Sequence, residues 1–98
     1  MFHVIYEWWV AKENIDNFID VWRKATNRIH NTVDGAKGSF MIRSCNDSNK
    51  VVTIAKWRSR YAWEKFWLDA DPKEMRQMRK IGERVSVEVF EELGDETV

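Results

Sequence analysis

The 98-residue chain is one domain's worth of polypeptide, and a fold of this length buries about 60–65% of its unfolded surface, which excludes a second domain. Hydrophobic residues make up 44% and charged residues 33%, with no apolar run near the roughly 20 residues of a bilayer helix, so the composition is that of a globular domain rather than a membrane-spanning or disordered one. Sixteen basic residues balance sixteen acidic ones, so no long-range field gathers nucleic acid or an anionic membrane surface, and an uncharged flat ligand is the easier one to expect.

The unusual feature is aromatic: six Trp, five Phe and two Tyr in a chain with four Gly and one Pro, all of them rings that need burial. Residues 2–10 are apolar or aromatic at seven of nine positions and rich in β-branched and aromatic types, which predicts a strand buried on both faces. From Glu13 to about Asn31 the period lengthens: Ile15, Phe18, Trp22, Ala25 and Ile29 lie on one face, widened by Ile19 and Val21, which predicts an amphipathic helix. Glu13, Asp16 and Asp20 precede Arg23, Lys24, Arg28 and His30, as the helix dipole favours. Val33 to Gly38 supplies an Asp and two glycines and reads as a reversal.

Ser39–Cys45 and Lys50–Trp57 form two short runs around Asn46-Asp47-Ser48-Asn49, a hairpin signature. Ser59 is placed to cap a short helix carrying Trp63, Phe66 and Trp67. A second helical start follows at Asp71-Pro72-Lys73-Glu74, running to about Lys80 with Met75, Met78 and Ile81 buried and Gly82 as its end. Glu83–Leu93 alternates, with Val85, Val87 and Val89 opposed to Arg84, Ser86 and Glu88, which predicts a half-buried strand. The order βαββαβ is that of an α+β, ferredoxin-like fold, a four-stranded antiparallel sheet with its helices on one face. Residues 1–94 are expected to form the single domain and 95–98 a flexible tail.

Helices on one face leave the other side of the sheet exposed. There Ile5 and Trp9 join Phe40, Ile42, Val52 and Ile54, too apolar a surface for water, which predicts a homodimer packed sheet on sheet. The lone Cys45 excludes an internal disulfide, and no basic leader segment with a cleavage site is legible, so the cytoplasm is the expected compartment. His3 and His30 are the only histidines and lie far from the cysteine, so no metal site is expected. Gly35 to Ser39 precedes a strand, where phosphate-binding loops precede helices, and reads only as a turn. Cys45 has no local base and is read as a buried or edge-strand residue rather than a nucleophile.

Chemistry therefore rests on the aromatic run Trp57-Arg58-Ser59 to Ala62-Trp63-Glu64-Lys65-Phe66-Trp67, where a strand hands over to a short helix. Together with Phe18 and Trp22, Gly35 to Ser39, and Val89-Phe90 in the last strand, this pattern resembles the antibiotic biosynthesis monooxygenase family, whose members are small dimeric α/β barrels. The resemblance covers nearly the whole chain and describes mainly the scaffold. It implies a cofactor-independent monooxygenase acting on a small aromatic or quinol-like compound, with no cofactor and no nucleic-acid or membrane partner.

Members that oxidise polycyclic phenols carry an asparagine and a tryptophan near the end of the third strand and a tyrosine on the following helix. By position the tryptophan matches Trp57, the asparagine falls on Thr53 and the tyrosine on Trp63, so these three are the candidate catalytic residues and one of them retains its type. Tyr6, Trp22, Phe66 and Trp67 are the candidate substrate-binding residues, joined by Arg76, or Arg79, as counterpart of an arginine on the later helix. The haem-degrading branch is a poor match, since it needs a histidine on that helix and no histidine follows His30. The competing expectation is a non-catalytic ligand-binding or interaction homodimer whose tryptophans serve packing.

Overall fold

The computed structural model describes residues 1–69 and 73–98. The elements, in chain order, are β1 (Phe2–Trp9), a single 3-10 turn at Lys12–Asn14, α1 (Ile15–Thr32), β2 (Ala36–Arg43), β3 (Lys50–Trp57), α2 (Arg60–Asp69), α3 (Lys73–Arg79) and β4 (Glu83–Glu91). The sheet order is β2-β3-β1-β4 with every neighbouring pair antiparallel, the arrangement expected of a ferredoxin-like α+β fold. The expected start of the second helix at Asp71-Pro72 lies outside the described residues. Among the described residues no helix is long and apolar enough to cross a membrane.

β1 is buried on one face rather than two. Phe2, Val4, Tyr6 and Trp8 point to the helices, whereas Trp9, on the other face, is 49% exposed. Cross-strand register carries the helix-side face onto Trp57, Ala55, Thr53 and Val51 of β3. Trp8 and Phe18 meet edge to face at 5.2 Å and form the centre of the core. On the opposite face Trp9, Phe40, Ile42 and Phe90 stand about half exposed.

β2 begins three residues earlier than the hairpin pattern predicts. Gly35 (φ +88°) and Gly38 (φ +95°) adopt the left-handed region, and the β2–β3 register shifts between Ala36 and Ser39. Gly38 thus serves as a bulge inside the strand, where its lack of a side chain suggested a turn. Gly35 is also a close-approach position, since a Cβ there would stand 2.6 Å from that of Ala62 on α2.

β4 carries the second departure. Glu7 pairs with Ser86 but Trp8 pairs with Arg84, so Val85 is bulged out of register. The simple alternation is therefore broken: Val85 is 54% exposed, while Arg84 turns to the helix side and lies 4.9 Å over the Trp67 ring. Val87 and Val89 keep the inward positions expected of them and pack on the core. Cys45 lies just past β2 and is exposed, not buried.

Candidate functional site

The α2 segment begins as its sequence suggests, with the Ala62 N–H donating to Ser59 Oγ at 3.2 Å. This cap, together with the Arg58 N–H to Gly35 carbonyl bond of 2.8 Å, sets where the chain turns from Trp57 into the helix. The Arg58 guanidinium grips Asp34 through two bonds of 3.1 and 2.8 Å and holds that carboxyl below its usual pKa. Both side chains are exposed, so the pair orders the loop edge more than it stabilises the fold.

Two aromatic groups result. The first is a filled stack: Trp63 lies on Trp67 at 5.5 Å, Tyr6 lies 5.9 Å from Trp67, and Phe2 lies 6.0 Å from Trp63, with Arg84 closing the far side over Trp67. The second borders a cleft between α1, α3 and the β2–β3–β1 part of the sheet. Its walls include Trp22, Trp57 and Phe66, with Trp57 on Phe66 at 5.2 Å, and its apolar lining also includes Ala25, Ala36, Met75 and Met78. The enclosed volume is about 50 Å³, enough for a few waters and below the roughly 150 Å³ of a cavity that admits benzene. The two methionines are the flexible part of this wall, so it widens more readily than a wall of rings.

Three hydroxyls of the lining residues share one construction. Trp8 Nε1 donates to Thr53 Oγ1 at 3.2 Å, Trp22 Nε1 donates to Ser39 Oγ at 3.1 Å, and Trp63 Nε1 donates to Tyr6 Oη at 3.2 Å. Each of these hydroxyl-bearing residues lines the cleft. Ser39 Oγ is further bonded to Thr26 Oγ1 at 3.0 Å. Burial pushes the Tyr6 phenol up to about 12, against the smaller opposing effects of the Trp63 N–H and the Arg84 charge, so the group stays protonated.

Of the expected site residues, the structure brings Tyr6, Trp22, Thr53, Trp57 and Phe66 together around the cleft. Trp63 and Trp67 belong to the filled stack and contact the cleft residue Tyr6 without lining the cleft themselves, while Arg76 is exposed on α3 and is not part of the wall. Thr26, Ser39, His30, Met75 and Met78 also line it and escaped the sequence reading. A signal existed for two of them, because Thr26 and His30 lie one turn along α1 from Trp22 and Thr26 respectively, on the edge of its apolar stripe. Among the described residues no group of three or more His, Cys, Asp or Glu is placed to hold a metal ion.

Comparison with known proteins bears on this arrangement. The family model for antibiotic biosynthesis monooxygenase matches residues 1–78. The chain belongs to that family. Its fold is also that of solved relatives. One is an antibiotic biosynthesis monooxygenase at 14% identity, covering 96% of this chain and 100% of that one, with a TM-score of 0.72. Another is a variant of SnoaB, a cofactor-independent oxygenase from Streptomyces nogalater, at 14% identity, 97% and 95% coverage and a TM-score of 0.77. A third is Rv0793 from Mycobacterium tuberculosis, at 15% identity, 98% coverage of each chain and a TM-score of 0.70. At such identities the likeness is one of fold. No curated protein matches the chain.

Proposed function

We propose that this member of the antibiotic biosynthesis monooxygenase family is a cofactor-independent monooxygenase for a small aromatic or quinol-like compound. The observation that carries the reading is the cleft itself, walled by Trp22, Trp57 and Phe66 and lined also by the hydroxyl-bearing residues Tyr6, Ser39 and Thr53. The rings stack a planar substrate, and Tyr6 or Thr53 hydrogen-bonds its oxygen. In the reaction, an electron-rich phenol ring gives four electrons to molecular oxygen. One oxygen atom becomes a new ring carbonyl where a C–H stood and the other leaves as water with that C–H hydrogen and the phenol's O–H hydrogen, so the phenol becomes a quinone and oxygen is the oxidant. Trp57 has the position and type of the family's tryptophan, and Thr53 and Trp63 stand in for its asparagine and tyrosine. Parallel aerobic and anaerobic incubations with a panel of phenols and quinols test the reading: oxygen-dependent product from at least one supports it, and none from any removes it.

The working unit in this reading is a homodimer. Trp9, Phe40, Ile42 and Phe90 form an apolar face on the side of the sheet away from the helices, and a second sheet would cover them. Light scattering at micromolar concentration checks this, with Ile42→Asp expected to give monomer. The small enclosed volume favours a second reading, a homodimer that binds a small ligand without turning it over. Ligand-induced fluorescence change without oxygen uptake would identify that case.

A further inference from the structure

The loop between α1 and β2 carries reactive groups that the cleft does not use. Asp34–Gly35 is the one place in the sequence where glycine follows an aspartate or an asparagine. With no side chain on the second residue, the amide nitrogen of such a pair reaches the carboxyl carbon of the aspartate more easily than where a Cβ crowds it. Both residues lie in the turn before β2, and the Asp34 side chain is 86% exposed. The Gly35 N–H makes no hydrogen bond among the described residues, so the attacking nitrogen is not held back. The fold also keeps the glycine in place, since it sits at φ +88° and a Cβ there would stand 2.6 Å from that of Ala62. What restrains the pair is Arg58, whose Nη1 and Nη2 donate to Asp34 Oδ1 and Oδ2 at 3.1 and 2.8 Å. Lys37 and Lys65 add positive charge around the same carboxyl group.

We propose that Asp34–Gly35 is a site of isoaspartate formation and that the Arg58 guanidinium, holding both oxygens of the Asp34 carboxyl group, restrains it. In the reaction the Gly35 nitrogen bonds to Asp34 Cγ, and one carboxyl oxygen leaves as water with its own proton and the proton of the amide. A five-membered succinimide results. Water then opens the ring: cleavage at Cγ restores aspartate, and cleavage at the main-chain carbonyl leaves the backbone running through Cγ, one methylene longer. The leaving oxygen departs from a protonated carboxyl group. Arg58 opposes this in two ways: its hydrogen bonds and charge hold the carboxyl below its usual pKa, and neither oxygen is free to leave. The consequence of conversion is local. An added methylene shifts Gly35 from its seat against Ala62 and from the Arg58 N–H that its carbonyl receives at 2.8 Å. The start of α2 and the neighbouring Ala36, a lining residue of the cleft, lose that fastening.

The test ages the purified protein for several weeks at neutral pH and body temperature and follows its tryptic peptides by chromatography and mass spectrometry. Cleavage after Arg28 and Lys37 isolates residues 29–37, which contain the pair. Isomerisation at Asp34 moves this peptide on the column without changing its mass, whereas deamidation of Asn31 changes the mass, and an isoaspartyl methyltransferase labels the isomerised form alone. Isoaspartate should accumulate in this peptide of the native protein, and about two- to fivefold faster in Arg58→Gln, the factor that an exposed charge pair supplies. Arg58→Lys keeps the charge but not the two-pronged grip and should fall between them. Circular dichroism checks that each variant is folded. Residues 44–50, released by cleavage after Arg43 and Lys50, carry Asp47–Ser48 and report general loosening of the chain. No isoaspartate at Asp34 in either the native protein or Arg58→Gln, or equal rates in the two, overturns the proposal. So does a rise in Arg58→Gln that residues 44–50 share in equal measure. The readout is a peptide of the protein itself, so neither result depends on the oxygenase reading.

Discussion

The filled stack and the cleft are made from the same residue types within one small fold, yet one is closed and the other is not. In the stack, Trp63, Trp67, Tyr6 and Phe2 meet ring to ring at 5.5 to 6.0 Å and Arg84 covers the remaining face. In the cleft, Trp22, Trp57 and Phe66 face Ala25, Ala36 and two methionines, which are too small or too flexible to close the space. The number of rings therefore does not decide whether a cavity forms. The size and stiffness of what stands opposite them does. Tyr6 belongs to both groups: its ring is part of the stack, and it is also a wall of the cleft.

If the stack is a closed core, the largest effect comes from opening it. Trp63→Ala should cost about 4 kcal/mol in urea unfolding, from lost burial plus a void between Phe2 and Trp67. A loss below about 1 kcal/mol would mean the stack has slack of its own and the contrast with the cleft is false. The next effect is alkaline. The Tyr6 phenol is raised from 10.0 to about 12 by burial, so the folded protein holds its proton more tightly than the unfolded chain. The associated stability is complete below pH 10 and is lost as pH rises toward 12, amounting to about 2–3 kcal/mol. Unfolding measured at both ends of that window, for the native protein and for Tyr6→Phe, isolates it: the native protein's advantage should shrink as pH rises.

Thr53→Val probes the boundary between the two regions. Valine fills the same volume but leaves the buried Trp8 N–H without its acceptor, which should cost about 2 kcal/mol by denaturant melt, and it also removes the hydroxyl of a cleft-lining residue. That pairing illustrates what could be read beforehand. Strand parity put Thr53, Trp57 and Tyr6 on one face because a two-residue period needs no knowledge of neighbours, and the α1 stripe put Trp22 there by the same kind of rule. Local patterns could not give the bulges. Gly38 looks the same in a turn as in a strand, and the alternation of Val85, Val87 and Val89 hides the shift that turns Arg84 inward. The placement of Trp63 and Trp67 away from the cleft was equally out of reach, since it depends on which rings α2 meets across the sheet rather than on their spacing along α2. The indole-to-hydroxyl bonds join residues 17, 45 and 57 positions apart, distances at which one sequence offers no rule.

The smallest expected effect on stability is also the one that most sharpens the contrast. Trp22 is half-buried on the cleft wall, and Trp22→Phe keeps most of its ring while deleting one part-buried hydrogen bond to Ser39. Ser39 and Thr26 can still bond each other, so no buried donor is stranded and the melt should move by about 1 kcal/mol or less. Binding should respond more than folding, because the wall loses its indole and Ser39 loses the N–H bonded to its hydroxyl: the affinity for a planar phenol that binds the native protein, followed by tryptophan fluorescence, is expected to fall about threefold or more. A stability loss as large as that of Trp63→Ala would place Trp22 in the same closed core as the stack. A small loss with weakened binding is what a wall built to face a ligand requires.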